Sequence, residues 1–156
     1  MVMNMNLSKS RYTTGITCSK KLWLSCYKKE EAVDIGNEAV LENGNKVGDL
    51  ARSLFGSSIL INFDTNYQNM IDETNKYLKS KPNIICEASF SYDNNFCSVD
   101  ILKNDIDGVE IYEVKSSTRV EDIYIEDITY QTWVLKKCGL NVKKSYLVHI
   151  NNYFPY

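Results

Sequence analysis

Apolar and polar positions alternate through most of the second half of this chain, whereas apolar positions recur at helical spacing through most of the first. Alternation in Ile84–Tyr92, Phe96–Lys103 and Val109–Ser117 predicts three strands, because successive strand side chains point to opposite faces. Asp93-Asn94-Asn95 and Asp105-Ile106-Asp107-Gly108 supply the turns of an antiparallel meander. The period then becomes helical over Asp122–Cys138, with Gly139 where a helix-terminating glycine belongs, and Val142–Ile150 returns as a strand. Upstream, Leu7–Lys29 reads as helical, capped by Ser8 or Ser10 and broken in two at Gly15, with Leu22, Trp23 and Cys26 as its apolar stripe. A second helix is expected from Ile35 to Phe55, carrying Val40, Val47, Leu50, Ala51 and Leu54. Its Glu42-Asn43-Gly44-Asn45 stretch is a poor helix former and should kink or split it. Ile59–Phe63 forms a short strand, and Asn66–Leu78 a helix stopped by Lys81-Pro82. Meander, helix and returning strand together predict an α/β domain with a mixed central sheet and N-terminal helices.

The chain of 156 residues is long enough for one domain with a real core, and 44% apolar with 24% charged residues is ordinary soluble composition. No apolar run approaches the roughly 18 residues of a membrane span. Met1–Leu7 lacks the apolar stretch of a signal peptide, so a cytoplasmic location without membrane partners is expected. The net charge of −2 supplies no overall attraction to nucleic acid. Basic pairs at Lys9/Arg11, Lys20/Lys21, Lys28/Lys29, Lys136/Lys137 and Lys143/Lys144 suit either a local positive surface or solvated helix faces. Five cysteines without a C-x-x-C pair, and a single histidine, leave no ligand set for a self-contained zinc site or iron–sulfur cluster. Cys86, Cys97 and Cys138 read as small core residues.

Candidate chemistry centres on Asp100 and Glu113-Val114-Lys115, which flank the Asp105–Gly108 turn. Strand parity places Glu113 and Lys115 on the face of Val109 and Ile111, and Asp100 on the face of Phe96, Ser98 and Leu102. Antiparallel pairing leaves Asp100 opposite or diagonal to both Glu113 and Lys115. Charges continuing an inward apolar stripe are costly unless paired or bound. Two readings follow: a cross-strand salt bridge from Lys115 to Asp100 or Glu113, or a carboxylate pair suited to holding Mg²⁺ and a water against a phosphodiester. On helix 122–138, Tyr124, Asp127, Ile128, Gln131, Leu135 and Cys138 share one arc. An inward Gln131 either bonds Asp127 or a backbone carbonyl, or borders the carboxylate site. Glu87 is either a third acidic group or, with Ser89 and Ser91 on its face, a solvated strand residue. His149 has no partner for catalysis beside it in the pattern.

Taken in order, these residues resemble the PD-(D/E)XK nuclease superfamily, and within it the RecB-like branch related to the exonucleases of CRISPR adaptation. Asp100 matches the aspartate, Glu113-Val114-Lys115 the E-x-K and Gln131 the glutamine of the following helix. Val99–Leu102, Glu113–Ser117, Asp127 with Gln131, Leu147–Ile150, Leu7–Arg11, Cys18–Trp23 and Gly44–Arg52 are similar to a broad bacterial group of that branch. The resemblance implies one domain over 1–156, with an N-terminal helical part (1–82) and a restriction-endonuclease-like catalytic core (83–156). It implies a Mg²⁺- or Mn²⁺-dependent deoxyribonuclease of exonuclease type. Asp100, Glu113 and the Val114 carbonyl would be metal ligands, Lys115 the group that positions water or stabilises charge, and Gln131 an orienting group. Glu87, Tyr124 and Asp127 would assist from behind or contact substrate. The sequence departs from the pattern at Gly48, where a histidine is usual, and at Leu135, where a tyrosine is usual. Relatives in CRISPR adaptation bind an iron–sulfur cluster. Cys18 matches its first ligand, but no cysteine follows Cys138, so no cluster is expected. The alternative is a degenerate nuclease fold that binds nucleic acid, a protein partner or a second copy, as an adaptor or inhibitor.

Overall fold

The structure, a computed structural model, describes residues 6–31 and 38–153. In chain order the elements are β1 (Leu7–Ser8), α1 (Lys9–Thr17), α2 (Ser19–Tyr27), α3 (Glu38–Ser53), β2 (Ile59–Leu60), α4 (Tyr67–Ser80), β3 (Ile84–Tyr92), β4 (Asn95–Asp105), β5 (Gly108–Lys115), α5 (Asp122–Lys137) and β6 (Val142–His149). They build an α/β domain around a mixed six-stranded sheet of order β2-β3-β4-β5-β6, with β1 joined to β4. The predicted meander is antiparallel, and β2 and β6 add in parallel at its two sides. Asp93 and Asn94 take left-handed φ values of 46° and 60° in the two-residue β3–β4 turn, a conformation Asp and Asn tolerate better than most residues. Gly108 closes the β4–β5 turn where a Cβ would stand 2.4 Å from the Asn141 carbonyl oxygen.

Since β3 pairs along nearly all of β4, β1 and β5 must share the opposite edge. β5 takes the stretch from Asp105↔Gly108 to Ile101↔Tyr112 and then follows β6, while β1 takes Asn95 and Phe96. A gap is left between them, over residues 97–100, with Asp100 at its β5 end.

Two apolar clusters fill the two faces of the sheet. The larger unites Met70 of α4, Ile85, Val99, Leu102 and Ile111 of the sheet, and Ile128, Val134 and Leu135 of α5. The smaller holds Ala51 of α3 with Ile84, Cys86 and Ile101, and packs against Phe55, Tyr112, Val114 and Val148. Ile84/Ile85 and Ile111/Tyr112 are sequence neighbours in different clusters, so the clusters lie on opposite faces.

Several expectations need correction. The first helical stretch breaks at Cys18, not Gly15. Gly15 instead allows close approach of α2, since a Cβ there would stand 2.9 Å from Leu22 Cδ2. Leu7 and Ser8 are strand rather than helix, with Ser8 Oγ accepting from Arg11 N as the cap of α1. α3 runs unbroken through Glu42–Asn45 to Ser53. Its packing against β5 overrides local propensity, and the expected start at Ile35 lies outside the described residues. On α3, Ala51 is buried but Leu50 is exposed, as is Leu54 just beyond it. β2 stops at Leu60, and Phe63 is exposed. Cys86 and Cys97 are buried, whereas Cys138 caps α5 in an exposed position.

Simple strand parity also fails, at one informative place. Cys97, Val99 and Leu102 lie in the larger cluster but Ile101 in the smaller; likewise Ala88 and Phe90 lie in the larger and Cys86 in the smaller. The predicted common face of Phe96, Ser98, Asp100 and Leu102 therefore does not hold. Both strands change face at Glu87 and Asp100, the one position skipped in the β3–β4 register. There Glu87 takes a left-handed φ of 56°, which costs a non-glycine residue about 1 kcal/mol.

Candidate functional site

Where β5 leaves β4, the Val114 N–H donates to Asp100 Oδ2 at 2.8 Å. Extending the β4–β5 register by one pair sets Asp100 opposite Glu113. Glu113 is nearly inaccessible at 2% exposure. Lys115 donates to Glu113 Oε1 at 2.6 Å and to Asp127 Oδ2 at 2.7 Å. Gln131 Nε2 bridges the same two carboxylates from above, at 2.7 Å to Glu113 Oε2 and 2.9 Å to Asp127 Oδ1. Asp127 and Gln131 sit four residues apart, one helical turn, on the buried face of α5. Tyr124, on the same face, places its ring centroid 5.2 Å from Lys115 Nζ. Into this group the N-terminal helix sends Lys9, whose Nζ lies 3.0 Å from Glu113 Oε2 and 3.4 Å from Asp100 Oδ1.

Asp100, Glu113 and Asp127 thus oppose Lys9 and Lys115, three carboxylates against two ammonium groups. Burial alone would raise the Glu113 pKa. The charges of Lys9 and Lys115 and the hydrogen bonds from Lys115 and Gln131 win, holding it at about 2. Asp100 goes the other way: burial, helped by the Glu113 charge, pushes it above the usual carboxylate range despite Lys9. Burial opposes the charge on Lys115, yet Glu113 and Asp127 hold its pKa above the ordinary lysine value. Lys9 is raised in the same way, with Asp100, Glu113 and Asp127 overcoming its desolvation.

Asp100 also borders a polar cleft of about 200 Å³ on the α3 side, lined by Gly44, Asn45, Gly48, Arg52, Glu87, Asp100, Ile101 and Val114. Glu87 is half-buried there, 3.4 Å from Arg52 Nη1. Burial first, then the Asp100 charge, raises its pKa to about 7. Of the face expected to be solvated, Glu87 is partly exposed at the cleft and Ser91 is exposed, whereas Ser89 is fully buried, its Oγ 2.7 Å from Ser98 Oγ. Gly48 leaves open space towards the cleft, the nearest atom to a Cβ being Arg52 Nη1 at 3.9 Å.

Asp100, Glu113, Lys115, Asp127 and Gln131 are therefore brought together, Tyr124 flanks them, Glu87 lies across the cleft, and Val114 enters through its N–H. The salt-bridge pattern exists as Lys115 with Glu113, and Gln131 does bond Asp127 while also reaching Glu113. Lys9 and Arg52 are additions to this set. Lys9 had no local signal: it sits three residues before Tyr12, and only the Tyr12–Tyr130 stack reveals that this stripe of α1 faces inward. Among the described residues no three acidic, imidazole or thiol groups form a ready metal ligand set. The Asp100–Glu113 pair nevertheless already holds a positive charge between its oxygens, the Lys9 ammonium. Such an all-oxygen donor pair suits a hard divalent cation that completes its shell with water and phosphate.

Compared with protein-family models, curated proteins and solved structures, the chain finds no match in any of the three. No helix among the described residues is long and apolar enough to cross a membrane.

Proposed function

We propose that this chain is a metal-dependent nuclease of the PD-(D/E)XK type, a RecB-like enzyme with a restriction-endonuclease-like core that hydrolyses DNA phosphodiester bonds. The observation that carries the reading is the convergence of Asp100, Glu113 and Lys115, from two strands, with Gln131 and Asp127 from the next helix. Asp100 and Glu113 would hold Mg²⁺ or Mn²⁺, which when bound polarises a phosphoryl oxygen and acidifies a water. Lys115, kept protonated by Glu113 and Asp127, stands ready to stabilise negative charge developing on the phosphate. Gln131 fixes the Glu113 carboxylate by donating to it, and Asp127 aims Lys115. The cleft beside Asp100, with Arg52 at its wall, is where the DNA strand would lie. Leu135, at the usual tyrosine position, is fully buried and contributes no substrate contact.

One observation favours the rival reading of a binding module: both lysines already satisfy the carboxylates. End-labelled single- and double-stranded DNA, incubated with Mg²⁺ or Mn²⁺, separates the two. The nuclease reading requires divalent-dependent cleavage that Lys115→Met abolishes with an unchanged circular dichroism spectrum. DNA retention without cleavage by the wild type would replace it with the binding-module reading.

A further inference from the structure

We propose that Lys9 is a tethered counter-cation that occupies the metal position of the Asp100–Glu113 pair and is expelled when a divalent ion loads. The inference rests on the nuclease reading and adds to it a positioning residue, supplied by the N-terminal helix, that governs metal affinity.

The geometry carries the first half. Lys9 Nζ contacts Asp100 Oδ1 at 3.4 Å and both Glu113 oxygens, Oε1 at 3.2 Å and Oε2 at 3.0 Å, and so sits where a cation held by both carboxylates would sit. An ammonium and a divalent ion cannot share that space, because both need the same oxygens and repel each other at contact distance. With Lys9 in place the cluster of Asp100, Glu113, Asp127, Lys9 and Lys115 carries a formal charge of −1, and without it −2. Lys9 thereby offsets the mutual repulsion of the two carboxylates before the metal arrives, and its removal strengthens the field that attracts one.

The second half, that Lys9 leaves rather than Lys115, follows from how each is held. Lys115 makes short contacts of 2.6 and 2.7 Å and sits on β5, which is paired with β4 on one side and β6 on the other. The three contacts of Lys9 are longer, 3.0, 3.2 and 3.4 Å. Its helix α1 has nine residues, none of them fully buried. α1 is held by the short β1 pairing, by Tyr12 packed on the larger cluster and stacked on Tyr130, and by Tyr12 Oη donating to Glu126 at 3.3 Å, whereas β5 is paired along both edges. Elements with fewer such ties open at less free-energy cost. Lys9 therefore yields first.

Calorimetric titration with Mn²⁺ alone, on wild type, Lys9→Met, Lys9→Arg and Asp100→Ala, tests the competition. Lys9→Met should bind Mn²⁺ at least tenfold more tightly than wild type, Lys9→Arg should stay near wild type, and Asp100→Ala should lose the site. By linkage, metal must act on Lys9 as Lys9 acts on metal. In the wild type, saturating Mn²⁺ should therefore raise labelling of the Lys9 amine by an amine-reactive reagent severalfold, read by mass spectrometry, with exposed Lys46 as the unchanged reference. This measurement decides the question even where Lys9→Met fails to fold. Tight Mn²⁺ binding by wild type, with Lys9→Met no tighter or Lys9 still protected at saturation, would overturn the inference and leave the nuclease reading standing. Absence of Mn²⁺ binding in both wild type and folded Lys9→Met would remove the nuclease reading, and this inference with it.

Discussion

Val114 donates its backbone N–H to Asp100 Oδ2 at 2.8 Å, so a side-chain carboxylate replaces a ladder carbonyl at the point where β5 departs from β4. Asp100 is thus a structural acceptor as well as a proposed metal ligand, and the two roles separate by substitution. Asp100→Asn keeps an acceptor oxygen for Val114, whereas Asp100→Ala leaves that partly buried N–H without one, at a cost of about 1–3 kcal/mol. Urea denaturation should rank Asp100→Ala below Asp100→Asn by that amount, while both lose divalent-dependent cleavage. Equal stability of the two variants would show that the Val114 contact contributes nothing.

Gln131 is fully buried and donates to the carboxylates of Glu113 and Asp127. Hydrogen bonds to charged groups contribute about 1.5–3 kcal/mol each. Gln131→Leu, close in volume but unable to donate, should lower unfolding free energy by about 2 kcal/mol, the loss of support for Glu113 and Asp127 being partly offset by removal of the buried Gln131 Oε1, which has no hydrogen-bond partner. Retention of wild-type stability in a urea titration would mean that Lys9 and Lys115 suffice to hold both carboxylates.

Glu87 sets a dependence on pH whose sign follows from its environment. Burial and the neighbouring Asp100 raise its folded pKa from an ordinary 4.5 to about 7, against the pull of Lys9 and Arg52. A raised carboxylate contributes stability below its unfolded pKa and loses it as pH rises through the folded value. The wild type should therefore lose stability relative to Glu87→Gln between about pH 4.5 and pH 7, and the gap should flatten above that. Paired urea midpoints across this range test it. A wild type that gains on Glu87→Gln with rising pH would place Glu87 in a charge-stabilising site instead.

Much of this architecture was legible from local rules. Alternation placed β3 exactly where it forms, the turn residues at Asp93-Asn94 and Asp105–Gly108 set a register that brings Asp100 beside Glu113, and helical spacing put Asp127 and Gln131 on one inward face. What escaped depends on non-local contacts. Lys9 joins the site because Leu7 and Ser8 pair with β4, a partnership that a two-residue strand cannot advertise. The face change at Glu87 and Asp100 violates the alternation on which strand reading relies, and the left-handed Glu87 gives no compositional sign of it. Glycine usually breaks a helix, but at Gly15 the absent side chain makes room for Leu22.

The separations along the chain have a temporal meaning. Lys9 meets Asp100 and Glu113 across 91 and 104 residues, whereas the β3–β4–β5 hairpins join immediate neighbours. Closing long loops carries a greater entropic penalty than closing short ones, and distant pairings form late. The sheet can zip up before its first helix returns to it, so the acidic pair is made early and neutralised last, and thermal opening should begin with the segment that folded at the end.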